Sequence, residues 1–153
     1  MSNINYLLKP AAMGHYDFIY HVKKLTLKEH IEKIWGWDEE YQQNDFRECF
    51  IPEKNKIIVS ENEDIGYLEI NEEDNIVYIV ELEILPEYQG RGIGSSIISD
   101  IVEYAGASQK RVRIGCFKIN RGAKRVYERL GFKVIEETET HYILESWCLG
   151  LWK

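Results

Sequence analysis

The sequence predicts an α/β or α+β fold built on a mixed sheet, in one domain spanning residues 1–153. Two observations carry that expectation. Stretches of two-residue alternation and of helical periodicity follow one another in the order strand, two helices, three strands, helix, strand, helix, two strands, a mixture that sets a sheet against flanking helices. The 153 residues, 44% of them apolar, suffice for one core, and no repeat, low-complexity tract or Pro/Ser-rich linker divides them.

Each element follows from its residues. "INYLLKPA" reads as the first strand. From about Gly14 to Lys33, Ile19, Val22, Leu25, Leu27 and Ile31 recur at loosely helical spacings, and "DEEYQQNDFRECF" is a second helix with Asp38 as its N-cap. "WGWDEE" breaks the two apart. "KIIVS", "DIGYLEI" and "NIVYIVELEIL" are three strands joined by short polar turns. Ile93, Ile97, Ile101 and Ala105, with Ile98 and Val102 alongside, make one apolar helical stripe. "RVRIGCF" is a strand. In "NRGAKRVYERLGF", Asn120 is the N-cap, Ala123, Val126, Tyr127 and Leu130 share a face, and Gly131 stands where a left-handed C-cap belongs. "FKVIEE" and "THYILESW" close the chain as a hairpin pair.

Composition narrows the functional classes. Cys49, Cys116 and Cys148 are widely spaced and form no CxxC pair, which argues for idle thiols over a disulfide framework or a zinc knuckle. "MSNINYLLKPAAMG" lacks the charged and apolar regions of a leader, and no apolar run approaches the ~18 residues of a membrane span. A soluble cytoplasmic protein with no membrane partner is expected. The net charge of −7 argues against nucleic-acid binding by the whole chain. That charge is unevenly spread: between Lys110 and Lys133 nine Lys and Arg face one acid, Glu128, so the segment carries +8 and the remainder −15. Such a division suits an anion site in one place and a cation site in another; a solvated helix face is the alternative.

The stretch "LPEYQGRGIGSSIISDIVEYA" sets Gly90, Gly92 and Gly94 between a strand and a helix. A strand entering a glycine-rich turn and then a helix cradles phosphate, because bare amides converge on the ligand and the helix end adds about half a positive charge. The dinucleotide fingerprint G-x-G-x-x-G fails, since Ser95 occupies the last glycine position. A P-loop fails as well, since no lysine follows these glycines.

What fits is Q-x-x-G-x-G, here Gln89, Gly92 and Gly94, followed from Asn120 by N-x-x-A-x-x-x-Y-x-x-x-G-F. In "LEILPEYQGRGIG" and "NRGAKRVYERLGF" the chain resembles the GNAT superfamily of N-acetyltransferases, over roughly residues 76–133; residues 1–75 match only in element order. The resemblance implies a sheet of about six or seven strands, splayed in the middle and flanked by about four helices. It implies acetyl-CoA as cofactor, with the amides from Gln89 through Gly90, Arg91, Gly92, Ile93 and Gly94 on its pyrophosphate and Ser95 adding a hydroxyl. Leu82, Ile84 and Leu85 would pair with pantetheine through free backbone groups. Asn120 would touch the cofactor near that arm, compatibly with an N-cap role. Lys118, Arg121, Lys124 and Arg125 would face the ribose 3′-phosphate or solvent. A monomer or homodimer is expected.

Acetyl transfer to an amine requires an uncharged amine, a fixed attack geometry and a protonated leaving thiolate. Tyr127 matches the family's tyrosine that gives a proton to the departing sulfur; a core tyrosine with a satisfied hydroxyl is the other reading. Some relatives carry a glutamate just before the Asn-to-Tyr helix, where this chain has "RIGCFKIN" and no acid. The search for a base moves to "YIVELEIL", in which Glu81 and Glu83 share one face of an otherwise apolar strand. Desolvation there would raise a carboxyl toward neutral. Salt bridging of the pair, or a water chain as base, stays open. His15, His21, His30 and His141 show no ligand spacing, and no metal is expected.

In the family the first two helices, their connection and the last strand pair build the acceptor site. Here these offer Trp35, Trp37, Tyr41 and Tyr142 as aromatic faces and Asp38, Glu39 and Glu40 as charge, suited to an ammonium. A primary amine is implied, either a small cationic amine or a protein amine. Two other classes compete: a non-catalytic acyl-CoA-binding sensor or interaction module with the same fold, and a nucleotide-binding regulator using the same turn.

Overall fold

A computed structural model describes residues 5–146. Ile4 of the predicted first strand, and Trp147 and Cys148, lie outside the described residues. The elements appear in the predicted order: β1 (Leu7–Pro10), α1 (Tyr16–Ile34), α2 (Glu39–Cys49), β2 (Asn55–Ser60), β3 (Glu63–Glu72), β4 (Ile76–Ile84), α3 (Ile93–Ala107), β5 (Arg111–Phe117), α4 (Arg121–Arg129), β6 (Lys133–Glu137) and β7 (His141–Ser146). Single 3-10 turns at Met13–His15, Pro52–Lys54 and Pro86–Tyr88 join them. The seven strands are ordered β1-β2-β3-β4-β5-β7-β6. β4 and β5 run parallel, while β1–β2, β2–β3, β5–β7 and β6–β7 are antiparallel, so the sheet is mixed as expected.

The chain forms two compact units, and β4 contributes to both. One unit comprises Asn5–Glu69 and Glu81–Arg91. Its core joins Ile19 and Val22 of α1, Phe46 of α2, Ile57 of β2 and Tyr67 of β3. Tyr16, Tyr20, Phe46 and Phe50 add an aromatic cluster, with ring centroids 4.8 Å apart for Tyr16 and Phe46 and 5.1 Å for Phe46 and Phe50. Tyr16 and Tyr20 sit four apart on α1, and Phe46 and Phe50 four apart at the end of α2, the spacing that puts side chains on one face. Leu25 departs from the expected stripe. It is 51% exposed, because the buried face of α1 runs through Ile19, Val22 and Ile31 instead.

The other unit comprises Ile70–Val80 and residues 92–146 of the described chain. Ile93, Ile97, Ile98, Ile101 and Ala105 of α3 are buried, as their periodicity predicts. β5 alternates strictly, turning Val112, Ile114 and Cys116 inward. It pairs with β4 from Ile76↔Arg111 to Ile79↔Ile114 and with β7 from Val112↔Ser146 to Phe117↔His141. The hairpin of β6 and β7 therefore folds back, placing β7 between β5 and β6. At the end of α4 the Phe132 amide donates to the Tyr127 carbonyl (3.0 Å) and the Gly131 amide to the Glu128 carbonyl (3.1 Å), with Gly131 at φ +99°. That is the left-handed C-cap read from "RLGF".

Close approach of two backbones leaves Gly66 with no room for a side chain. In β3, a Cβ at Gly66 would collide with the main chain of Glu83 and Ile84. The Leu85 amide donates to the Ile65 carbonyl (2.8 Å) beside this contact. Gly66→Ala is expected to cost about 2–3 kcal/mol or prevent folding, since overpacking against backbone cannot be relieved by a rotamer change. The denaturant midpoint measures it, and an unchanged midpoint would contradict the tight approach.

Candidate functional site

Three groups of residues are candidates for chemistry: one in the unit of Asn5–Glu69 and Glu81–Arg91, one on the segment where the chain passes from that unit to the other at Gly92, and one in the other unit. The first stands where Glu81 and Glu83 project from β4. Glu81 accepts a hydrogen bond from the Tyr67 hydroxyl (2.7 Å) and an ion pair from Lys23 of α1 (3.2 Å). Glu83 has no such cation. Loss of hydration pushes its carboxyl up to about 8, Glu81 adds to the rise, and Thr26 and Lys23 oppose it. Tyr67, buried beneath them, is held well above its ordinary range by burial and then by Glu81. Glu69 of β3 is also raised, by burial first and by Glu81 second. The two glutamates that look equivalent in sequence thus differ: Glu81 is an occupied acceptor, whereas Glu83 titrates near neutral pH. Glu69 and Tyr67 went unrecognised in the sequence, although their two-residue spacing on β3 repeats that of Glu81 and Glu83.

The second group is the turn after β4. The Tyr88 amide donates to the Leu85 carbonyl (2.9 Å) and the Gln89 amide to the Pro86 carbonyl (3.2 Å). The Gln89 side chain turns back and donates to the Ile84 carbonyl (2.8 Å), pinning the turn to the strand end. Arg91 also folds back, donating to the Glu87 carbonyl (3.1 Å) with its guanidinium 5.2 Å from the Tyr88 ring centre. With the Leu85 amide already on Ile65, both Ile84 and Leu85 spend a backbone group inside the protein. Gly90 and Gly92 take left-handed φ of +76° and +83°. At Gly90 a Cβ would meet open space, so its φ is what favours glycine there.

α3 then starts on Gly92, which offers no side chain to cap it, and has no acid in its first turn. The first helical bond is Ser96 amide to Gly92 carbonyl (3.0 Å), so the amides of Ile93, Gly94 and Ser95 have no acceptor within the helix. The contrast with the other helices is direct. Asp38 caps α2 by accepting from the Tyr41 amide, and Asn120 caps α4 by accepting from the Ala123 amide, both at 3.1 Å.

The third group lies on α4. Tyr127 is half-buried, its ring 6.3 Å from that of Phe132. On α4 and the segment before it, Lys118, Arg121, Lys124 and Arg125 line an open hollow of about 660 Å³ with Tyr142 of β7. The ammoniums of Lys118 and Lys124 stand 5.3 and 5.1 Å from the Tyr142 ring centre. Elsewhere the basic segment is structural: Arg113 and Arg111 pair with buried Glu145, and Lys110 pairs with Glu72.

The expected aromatic acceptor wall is divided between units. Trp35 and Tyr41 are 62% and 63% exposed, and Trp37 donates to Glu39 (3.0 Å) with Lys28 over its ring. Tyr142 sits instead with the lysines of the hollow. Of the three acids read as ammonium partners, Asp38 is spent as a cap. Glu39 accepts from Lys24, Trp37, Tyr20 and Gln43, led by Lys24, and these donors hold its carboxyl far below the usual range. Cys49 and Cys116 are free thiols, and among the described residues no cluster of metal-ligating side chains occurs and no helix is long and apolar enough to cross a membrane.

Comparison with known proteins places these features. Residues 19–132 match the Acetyltransferase (GNAT) family. N-acetylaspartate synthetase of Xenopus tropicalis is 27% identical over 131 residues, 81% of this chain and 46% of the relative. Thialysine N-epsilon-acetyltransferase of Bos taurus is 36% identical over 66 residues, 41% of this chain and 38% of the relative. The chain thus spans less than half the length of these curated relatives. PaiA N-acetyltransferase from Thermoplasma acidophilum, solved in complex with coenzyme A, superposes with a TM-score of 0.76 at 18% identity, over 95% of this chain and all of that one, a likeness of fold. With the glycine turn opening an uncapped α3, the Asn120 cap and Tyr127 all on the page, the match over most of the sequence decides the matter: this chain belongs to the GNAT family of acetyltransferases.

Proposed function

We propose that the protein is an acetyl-CoA-dependent N-acetyltransferase that passes the acetyl group to a primary amine by direct attack. The uncapped start of α3 carries this reading, since its leading amides and the positive helix end are left for an anion that no side chain of its first turn supplies. Acetyl-CoA supplies the activated acetyl thioester. Gly90 to Gly94 would hold its pyrophosphate through main-chain amides, with Ser95 adding a hydroxyl, while the Gln89 amide stays on the Pro86 carbonyl and the Gln89 and Arg91 side chains brace the turn itself. The end of β4 about Leu82 would take pantetheine, since the Ile84 carbonyl and both backbone groups of Leu85 are already engaged within the protein.

The remaining steps belong to protons. Glu83 takes the proton from the incoming ammonium, directly or through a water, while Glu81 stays engaged with Lys23 and Tyr67. Tyr127 gives its proton to the departing sulfur. Trp35, Trp37 and Tyr41 offer aromatic faces to the acceptor. The relatives' names do not choose its charge, since one names an acidic amino acid and the other a basic one.

Four outcomes test the reading. Acetyl-CoA at a hundredfold excess over Kd should raise Tm by roughly 5–10 °C, and Gly92→Glu should abolish the shift by filling the phosphate cradle; no shift for the native chain would refute cofactor binding. Tyr127→Phe should lower kcat roughly a hundredfold or more with cofactor Kd unchanged, and equal turnover would make Tyr127 structural. As an acyl-CoA sensor the protein would bind CoA and never release thiol with any amine.

Glu83 sets two pH dependences. Its carboxyl is raised in the fold from 4.5 to about 8, so kcat/KM should climb through about pH 8 as it ionises, and Glu83→Gln should lose that limb. For stability the sign is opposite: Glu83 favours folding while protonated, and that contribution is lost as pH rises from 4.5 through about 8. Denaturant midpoints at pH 5 and pH 8 should therefore fall for the native chain and fall less for Glu83→Gln.

A further inference from the structure

We propose that Lys23 and Thr26 of α1 are positioning residues for Glu83, Lys23 by binding the neighbouring Glu81 and Thr26 by meeting the Glu83 carboxyl, and that together they set the pH at which Glu83 can take a proton from the acceptor. The proposal rests on the acetyl-transfer reading above and adds the groups that make its base usable.

Geometry is the first observation. Lys23 and Thr26 stand three apart on α1, and Glu81 and Glu83 two apart on β4, the spacings that put each pair on one face. The Lys23 ammonium reaches Oε1 of Glu81 (3.2 Å), and the Tyr67 hydroxyl of β3 donates to the same oxygen (2.7 Å). Lys23 is itself steadied, its ammonium 5.8 Å from the ring centre of buried Phe46 on α2. Both side chains of the ion pair are largely shielded, 23% and 19% exposed, so water screens it less than it screens a surface pair.

The balance of charge is the second. The groups packed around the two glutamates are Lys23 and Thr26 of α1 and Tyr67 and Glu69 of β3, while Lys54, just before β2, acts on Glu69. Three carboxyls thus share one partly desolvated layer with two ammoniums. Without Lys23, the charge of Glu81 would stand uncompensated beside Glu83, and a like charge holds a carboxyl protonated. A carboxyl that does not ionise is no base. With Lys23 on Glu81, ionised Glu83 stays within reach of ordinary pH.

The third is the single hydrogen of the Thr26 hydroxyl. Within α1 its oxygen lies 3.0 Å from the Val22 carbonyl and 3.4 Å from the Lys23 carbonyl, and its hydrogen bond to Glu83 favours the charged carboxylate. One hydrogen serves one acceptor at a time. Thr26 therefore turns to Glu83 when that group is ionised and back to its own helix when Glu83 holds a proton. Valine has the same shape and no hydrogen to offer.

The test uses the full chain with its glutamate carboxyls labelled with carbon-13 and follows their titration by NMR without cofactor, Glu83→Gln identifying the Glu83 step. Lys23→Met should move that step up by about one pH unit, roughly tenfold in proton affinity, and Lys23→Arg should return it. Thr26→Val should also move it up, and Thr26→Ser should return it. Glu81→Gln removes the neighbouring charge and should move the step down, a reversal of sign that lost packing does not produce. With acetyl-CoA and an amine that turns over, the rising limb of kcat/KM should shift in the same order. A Glu83 step that Lys23→Met or Glu81→Gln leaves in place, or that both move the same way, overturns the proposal, and a step unmoved by Thr26→Val removes Thr26 from it. Should Lys23→Met not fold, Glu81→Gln and Thr26→Val decide: opposite shifts support the proposal and an unmoved step overturns it. If the carboxyls titrate as expected and no amine releases thiol, the coupling stands and the acetyl-transfer reading fails by itself.

Discussion

A helix that begins on glycine leaves its leading amides unsatisfied, and α3 does so with no acid in its first turn. Orphan N–H groups cost free energy when shielded from water and attract anions when open to them. α2 and α4 meet the same problem with Asp38 and Asn120. Much of the candidate site follows from α3 not doing so: two left-handed glycines shape the approach, and Gln89 and Arg91 spend their side chains on bracing the turn. What the start of α3 leaves unsatisfied is main chain, which neither titrates nor changes rotamer.

Carboxylates on β4 obey a different constraint. A charged group inside a partly desolvated layer must find a cation or give up its charge. Glu81 takes the first route through Lys23 and Tyr67, and Glu83 takes the second. Two identical residues, two positions apart, thus differ because Lys23 of α1 makes its ion pair with Glu81, while at Glu83 burial outweighs the opposing pull of Lys23 and Thr26. Gly66 permits the arrangement by letting β3 approach the Glu83 backbone, where any side chain would intrude.

Charge in the last third of the chain also divides by partner. Arg111, Arg113 and Lys110 are absorbed by Glu145 and Glu72, so they serve the fold. Arg121 and Arg125 are left on an exposed helix face, beside a ring that steadies two lysines. A run of nine basic residues is therefore two populations, one neutralised inside the protein and one offered outward.

Local physics was readable in the sequence. The apolar stripe of α3, the caps at Asp38 and Asn120, the break at Gly131 and the strand-to-helix turn at the glycines depend on neighbours within a few positions, and each appears as read, whereas Leu25 leaves the stripe expected on α1. The family, too, rests on two short motifs. Only the tertiary structure decided which side chains of similar type differ: Glu81 from Glu83, Arg113 from Arg121, buried Ile19 from exposed Leu25, and Tyr142 with two lysines over its ring from solvent-exposed Tyr41. Such distinctions depend on groups distant in the chain, because hydration and ion pairing are set by what folds against a residue, and no spacing along the sequence encodes that.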